Sequence, residues 1–123
     1  TEATQRDDIT YITDVWEGEP NINEEYLAKS LIATPHIAGY TAQGKANASA
    51  MAVQALARHF ALPLTEWSPN EVAKVEPRMV SWEEMCNTIT LHCDLEAESI
   101  ALLSNPRNFE ALRNNYRYRE EYF

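Results

Sequence analysis

Residues 9–41, ITYITDVWEGEPNINEEYLAKSLIATPHIAGYT, decide the fold. Residues 9–16 are dense in β-branched and aromatic types and run into Glu17-Gly18-Glu19-Pro20, so they predict a strand closed by a turn. The run EEYLAKS (24–30) predicts a turn or two of helix, and Leu31-Ile32-Ala33 a second short buried strand. Thr34-Pro35-His36 then forms a loop. Pro35 has no N–H to give and disfavours a helical Thr34, so the chain stays extended until after the histidine. Strand, helix and strand in this order predict an open α/β sheet, whose ligands gather at the carboxyl edge of the strands. A carboxylate cluster (Asp14, Glu17, Glu19) and His36 fall at that edge.

Working outward, Thr41 is a natural N-cap for an alanine-rich helix reaching about Phe60, with Ala46, Ala50, Val53, Leu56 and Phe60 on one face. Pro63, Pro69 and Pro77 exclude a helix from Leu62 to Val80 and mark a linker with room for a strand. Ser81 and Glu84 have the capping-box spacing ahead of a helix over 82–93. Asp94 can cap a further helix from Leu95 to Leu103. Asn105-Pro106 then ends that helix and starts another, whose stripe is Phe109, Leu112 and Tyr116. The tail YRYREEYF (116–123) suits either a fraying helix end or an edge strand covered by a partner. No internal repeat or low-complexity block appears.

Ten Lys and Arg against 19 Asp and Glu give a net charge of −9, with no basic excess to neutralise phosphates, which argues against a nucleic-acid partner. With 45% hydrophobic and 24% charged residues the chain has the apolar material for a packed core. No apolar run approaches the ~18 residues of a membrane span, so no membrane role is expected and a cytoplasmic chain is. Cys86 and Cys93 are seven apart, on one face of the predicted helix and too distant for a disulfide within it. They are expected to be reduced core thiols, and no Cys/His pattern predicts a metal.

The chemistry is best placed on Glu19 and His36. A carboxylate beside an imidazole orients the ring and favours its protonated form, making it a usable proton donor or acceptor. On residue type alone the alternative stays open, since a turn glutamate is usually solvated and a loop histidine usually structural. His59 and His92 lack such a setting. Trp16, Trp67 and Trp82 read as core or interface aromatics.

DVWEGEP (14–20) followed by TPHIAGYTAQGKA (34–46) resembles the carboxyl end of the nucleotide-binding domain of D-isomer-specific 2-hydroxyacid dehydrogenases. Within that superfamily the short step from Glu19 to His36, the GYT after the histidine, the GKA that follows and the ending FEALRNNYRYREEYF (109–123) are similar to the erythronate-4-phosphate dehydrogenase family. The resemblance implies a piece of a Rossmann-type NAD-binding domain over 1–61, a linker over 62–80 and a mainly helical α+β dimerisation domain over 81–123. It implies Glu19 and His36 as the catalytic pair, Asp14 and the Gly39 backbone as contacts of NAD, and Tyr40 as a substrate contact. It also implies a phosphorylated 2-hydroxy acid substrate and a homodimer built through the C-terminal domain. The glycine-rich fingerprint and the carboxylate-clamping arginine of such enzymes are not in this sequence, so it is expected to be about the last third of one. Other 2-hydroxyacid dehydrogenases, of phosphoglycerate or hydroxypyruvate type, and a stand-alone association module over 82–117 are the competing readings.

Overall fold

The computed structural model describes residues 6, 8–73 and 75–122. Among them the order is strand β1 (Tyr11–Thr13), helix α1 (Glu24–Lys29), strand β2 (Ser30–Ala33), and helices α2 (Ala42–His59), α3 (Trp82–His92), α4 (Leu95–Ser104) and α5 (Phe109–Asn114), with a 3₁₀ turn at Pro106–Asn108 before α5. It is a small mixed α/β chain with a two-stranded parallel sheet.

Two compact units divide the chain, one from residues 1–38 and 93–116, the other from 39–92 and 117–123. They do not coincide with the 1–61, 62–80 and 81–123 division expected from the sequence.

In the first unit α1 is the crossover that lets β1 and β2 run parallel, Tyr11 opposite Ser30, Ile12 opposite Ile32 and Thr13 opposite Ala33, with an irregularity after Tyr11. Asn23 starts α1 by accepting the Tyr26 N–H at 2.9 Å. β1 is shorter than the predicted 9–16: after Thr13 accepts the Thr34 N–H at 2.9 Å, Asp14 and Val15 bend away from the ladder because the Asp14 side chain is committed elsewhere. Alternation puts Tyr11 and Thr13 inward, where Thr13 Oγ1 donates to Tyr26 Oη at 3.1 Å. The Tyr26 ring meets Tyr11 and Trp16 edge-on at 5.2 and 5.5 Å. Trp16, Ile22, Leu27, Ala33, Leu102 and Phe109 form the core, so α4 and α5 close the face that β2 and α1 open. Ala33 is fully buried, and its N–H donates to Ser99 Oγ of α4 at 3.0 Å. The outer face of the sheet stays bare, with Ile12 72% and Leu31 68% exposed.

In the second unit α2 runs as expected from its Thr41 cap, whose Oγ1 accepts the Gly44 N–H at 2.8 Å. Its buried positions are Gln43, Ala50 and Ala57, whereas Leu56 and Phe60 of the predicted face are exposed. The small-residue side, not the bulkier one, is the side that packs. The 62–80 segment is turns and coil with no strand among its described residues.

α3 ends at His92, so Cys93 lies past it and in the other unit; neither cysteine is in a disulfide, and both are half-buried rather than core. Of the tryptophans only Trp16 is core, since Trp67 and Trp82 are exposed. α5 stops at Asn114, where the Asn115 N–H turns back to the Ala111 and Arg113 carbonyls, which leaves Tyr116 beyond the helix. Among its described residues the tail is neither a helix end nor a strand: Arg119 forms an isolated parallel bridge with Thr41 of the same chain. No helix among the described residues is long and apolar enough to cross a membrane.

Candidate acid–base site

Gly18 sits at φ 80° in the turn after β1, a left-handed conformation that glycine adopts without strain, and its carbonyl accepts the Asn21 N–H at 2.9 Å. This tight turn brings Glu19 back over the end of β1. Glu19 Oε1 accepts the Trp16 N–H at 2.8 Å, and Oε2 lies 2.9 Å from His36 Nδ1. The pair expected from the sequence is therefore in contact, held from two loops seventeen residues apart.

His36 itself has φ 58°, unusual for a residue with a β-carbon and costing about 1–2 kcal/mol. Asp14 is what holds it there. Asp14 Oδ1 accepts the Thr34 hydroxyl at 2.7 Å, the Ile37 N–H at 2.7 Å and the Ala38 N–H at 3.2 Å, and Oδ2 shares the Ala38 N–H at 3.2 Å. Trp16 adds a bond from its indole N–H to the Thr34 carbonyl at 2.9 Å. The loop 34–38 is thus clamped on both sides of the histidine by groups at the end of β1.

The electrostatics favour an ionised glutamate. Burial pushes the Glu19 carboxyl up, but hydrogen bonds from His36 and the Trp16 N–H, with the charges of His36 and Arg113, outweigh it and hold the carboxyl below its ordinary value. An ionised carboxylate only accepts, so His36 Nδ1 carries the proton of the shared bond and Nε2 is the ring nitrogen left to exchange a proton with a ligand. His36 is also the more open partner, its side chain 38% exposed against 18% for Glu19. The glutamate faces inward and the imidazole outward, the order an acid–base relay needs.

Arg113, from α5, places Nη1 3.9 Å from the same Glu19 oxygen that meets His36. Sequence reasoning missed it, although it stands one helical turn after the buried Phe109 and so on the packed side of α5. Asp14 was expected as a cofactor contact; its work as the clamp of the histidine loop was not foreseen. Gly39 and Tyr40 open the second unit, so the five expected site residues are not one cluster within a unit. A β-carbon on Gly39 would meet nothing within 4 Å, which leaves its backbone open to a ligand, as a cofactor contact requires. Tyr40 packs edge-to-face on Tyr118 at 5.5 Å. No group of three metal-ligating side chains occurs among the described residues.

No family model matches the chain. It is 41% identical over 110 residues, 89% of its length, to erythronate-4-phosphate dehydrogenase of Bacteroides thetaiotaomicron. It is 32% identical over an alignment of 127 positions that covers 96% of its length to the enzyme of that name from Shewanella oneidensis, and 48% identical over 60 residues to that of Marinobacter nauticus. The chain spans about a third of the length of the first two, 31% and 34%. The resemblance drawn from DVWEGEP and TPHIAGYTAQGKA is borne out: the chain is similar to a C-terminal piece of erythronate-4-phosphate dehydrogenases.

Proposed function

We propose that this chain supplies the acid–base pair of an NAD-dependent erythronate-4-phosphate dehydrogenase, oxidising 4-phospho-D-erythronate to its 2-oxo acid on the way to pyridoxine 5′-phosphate in the cytoplasm. The 2.9 Å contact between His36 Nδ1 and Glu19 Oε2 carries this reading, because it leaves Nε2 free to take a proton from a substrate hydroxyl. NAD, when bound, accepts the hydride that leaves C2. His36 Nε2 takes the C2 hydroxyl proton, and Glu19 stabilises the imidazolium that results. Asp14 and the Gly39 backbone would hold the nicotinamide end and Tyr40 the substrate.

Residues 1–61 would complete a Rossmann-type domain supplied mostly by sequence outside this chain. The bare Ile12 and Leu31 face of the two-stranded sheet supports that, since parallel sheets are normally covered on both faces. It counts against the stand-alone association module. Residues 81–123, reached through the 62–80 linker, would form the homodimer contact. α3 buries none of its residues and leaves Trp82 76% and Leu91 77% exposed, as an unpartnered interface helix would.

The test is NADH formation by the complete polypeptide carrying this chain, on 4-phospho-D-erythronate, 3-phosphoglycerate and glycerate side by side. The erythronate ester should be the preferred substrate, and His36→Ala should cut turnover at least about 100-fold while the dimer stays intact. A preference for either other acid assigns the chain to a different 2-hydroxyacid dehydrogenase. Unimpaired turnover in His36→Ala removes the acid–base assignment.

A further inference from the structure

The Glu19 carboxylate is met by three groups, all within the first compact unit. Its Oε1 accepts the Trp16 N–H at 2.8 Å, while Oε2 lies 2.9 Å from His36 Nδ1 and 3.9 Å from Arg113 Nη1. The last distance is too long for a hydrogen bond, so the guanidinium acts on Oε2 through its charge.

The core puts that charge there. Phe109 is buried in one cluster with Trp16, Leu112 packs against the cluster, and Arg113 follows Phe109 by one helical turn. The face of α5 that closes the core therefore also delivers a cation to the turn carrying Glu19. Both side chains are partly shielded from water, where a charge is felt more strongly than on an open surface.

The cation answers a difficulty set by the pair itself. A carboxylate alone beside His36 stabilises the imidazolium, yet an imidazole that is to take a proton from a hydroxyl must first be neutral. A guanidinium on the same oxygen offsets part of the negative charge that the ring feels. Against burial, which disfavours a charged glutamate, it also joins the hydrogen bonds of His36 and the Trp16 N–H in keeping Glu19 ionised. The charged groups around the ring are thus Glu19 in the turn after β1, Arg113 on α5, and Asp14 at the end of β1, bonded to Thr34 and Ile37 on either side of the histidine.

We propose that Arg113 is a positioning residue of the acid–base pair: acting through Glu19, it tempers the carboxylate's hold on the imidazolium, so that His36 is neutral and able to accept a proton over a wider pH range. What that proton is used for rests on the proposed dehydrogenase function; the charge relation among the three side chains does not.

The experiment compares wild type, two neutral variants (Arg113→Gln and Arg113→Met) and Arg113→Lys in the complete polypeptide. One readout is the NMR titration of the His36 ring protons, assigned by their loss in His36→Ala. The other is the pH profile of kcat/KM for 4-phospho-D-erythronate, and urea unfolding checks the fold. The neutral variants should move the His36 midpoint and the rising limb of kcat/KM to higher pH together, by about half a pH unit, the effect of one partly screened charge. On that limb the loss in kcat/KM is then about threefold. Arg113→Lys keeps the charge and should bring both readouts back toward wild type. A His36 midpoint unmoved in a folded neutral variant, or a shift that Arg113→Lys shares, would overturn the proposal. A midpoint that moves while the limb stays refutes His36 as the base, and the positioning role with it. A wild type that prefers another 2-hydroxy acid refutes the erythronate reading, while the ring titration still decides Arg113.

Discussion

Replacing Asp14 with alanine tests the claim that the end of β1 holds the catalytic loop in place. The carboxylate accepts from the Thr34 hydroxyl, the Ile37 N–H and the Ala38 N–H, at 2.7, 2.7 and 3.2 Å. Hydrogen bonds to a charged group contribute about 1.5–3 kcal/mol each, but Asp14 is only half-buried and water replaces part of what is lost. A loss of about 2–4 kcal/mol is expected, a large share of an ordinary domain stability of about 5–15 kcal/mol. The clamped left-handed conformation of His36 should relax once the restraint is gone. Asp14→Asn is the informative partner. All three donors converge on Oδ1 and only Ala38 reaches Oδ2, so an amide oxygen can take over Oδ1, and a loss of about 1 kcal/mol is expected. Urea unfolding of the complete polypeptide measures both losses, and amide hydrogen exchange at Ile37 and Ala38 locates them. An Asp14→Ala protein that unfolds within about 0.5 kcal/mol of wild type and keeps both amides protected would refute the clamp.

Glu19→Gln tests the electrostatics. A carboxyl held below its ordinary value in the folded state contributes stability that is present above the unfolded-state value and disappears as pH falls through the lowered one. Unfolding free energy measured from neutral pH down through the carboxylate range should therefore fall less steeply in Glu19→Gln than in wild type; identical slopes would contradict an ionised, paired Glu19. Ser99→Ala tests the joint between α4 and β2: the fully buried Ala33 N–H loses its acceptor, at a cost of about 1–3 kcal/mol in thermal or urea unfolding. A neutral Ser99→Ala would show that water reaches that amide.

What the sequence disclosed and what it hid follow the range of the interactions concerned. α2 and α4 begin where Thr41 and Asp94 can cap them, because an N-cap is a contact between a side chain and an amide three residues on. The Glu19–His36 pair was legible because the tight Gly18 turn and the extended Thr34-Pro35 step are local features that bring two strand ends together. On α2 the small alanines pack as their size suggests, Ala50 and Ala57 being buried, while Leu56 and Phe60 of the face read from hydrophobicity stay exposed. Hydrophobicity names the residues that want cover, and a chain similar to a third of a longer enzyme need not supply that cover itself.

Arg113 and Tyr118 show the other limit. Arg113 reaches Glu19 across 94 residues, and Tyr118 meets Tyr40 across 78, so no spacing rule links either pair. Both nonetheless touch residues that the motif had already marked, Arg113 the half-buried carboxylate of Glu19 and Tyr118 the ring of Tyr40. A carboxylate shared by an imidazole and a guanidinium is held ionised more firmly than by the imidazole alone, which keeps Nδ1 the donor of the shared bond and leaves proton exchange to Nε2. The dyad read from the sequence is thus incomplete as chemistry: its tautomer is set in part by a helix far along the chain. An Arg113→Gln variant should accordingly lower turnover while leaving the Glu19–His36 contact in place.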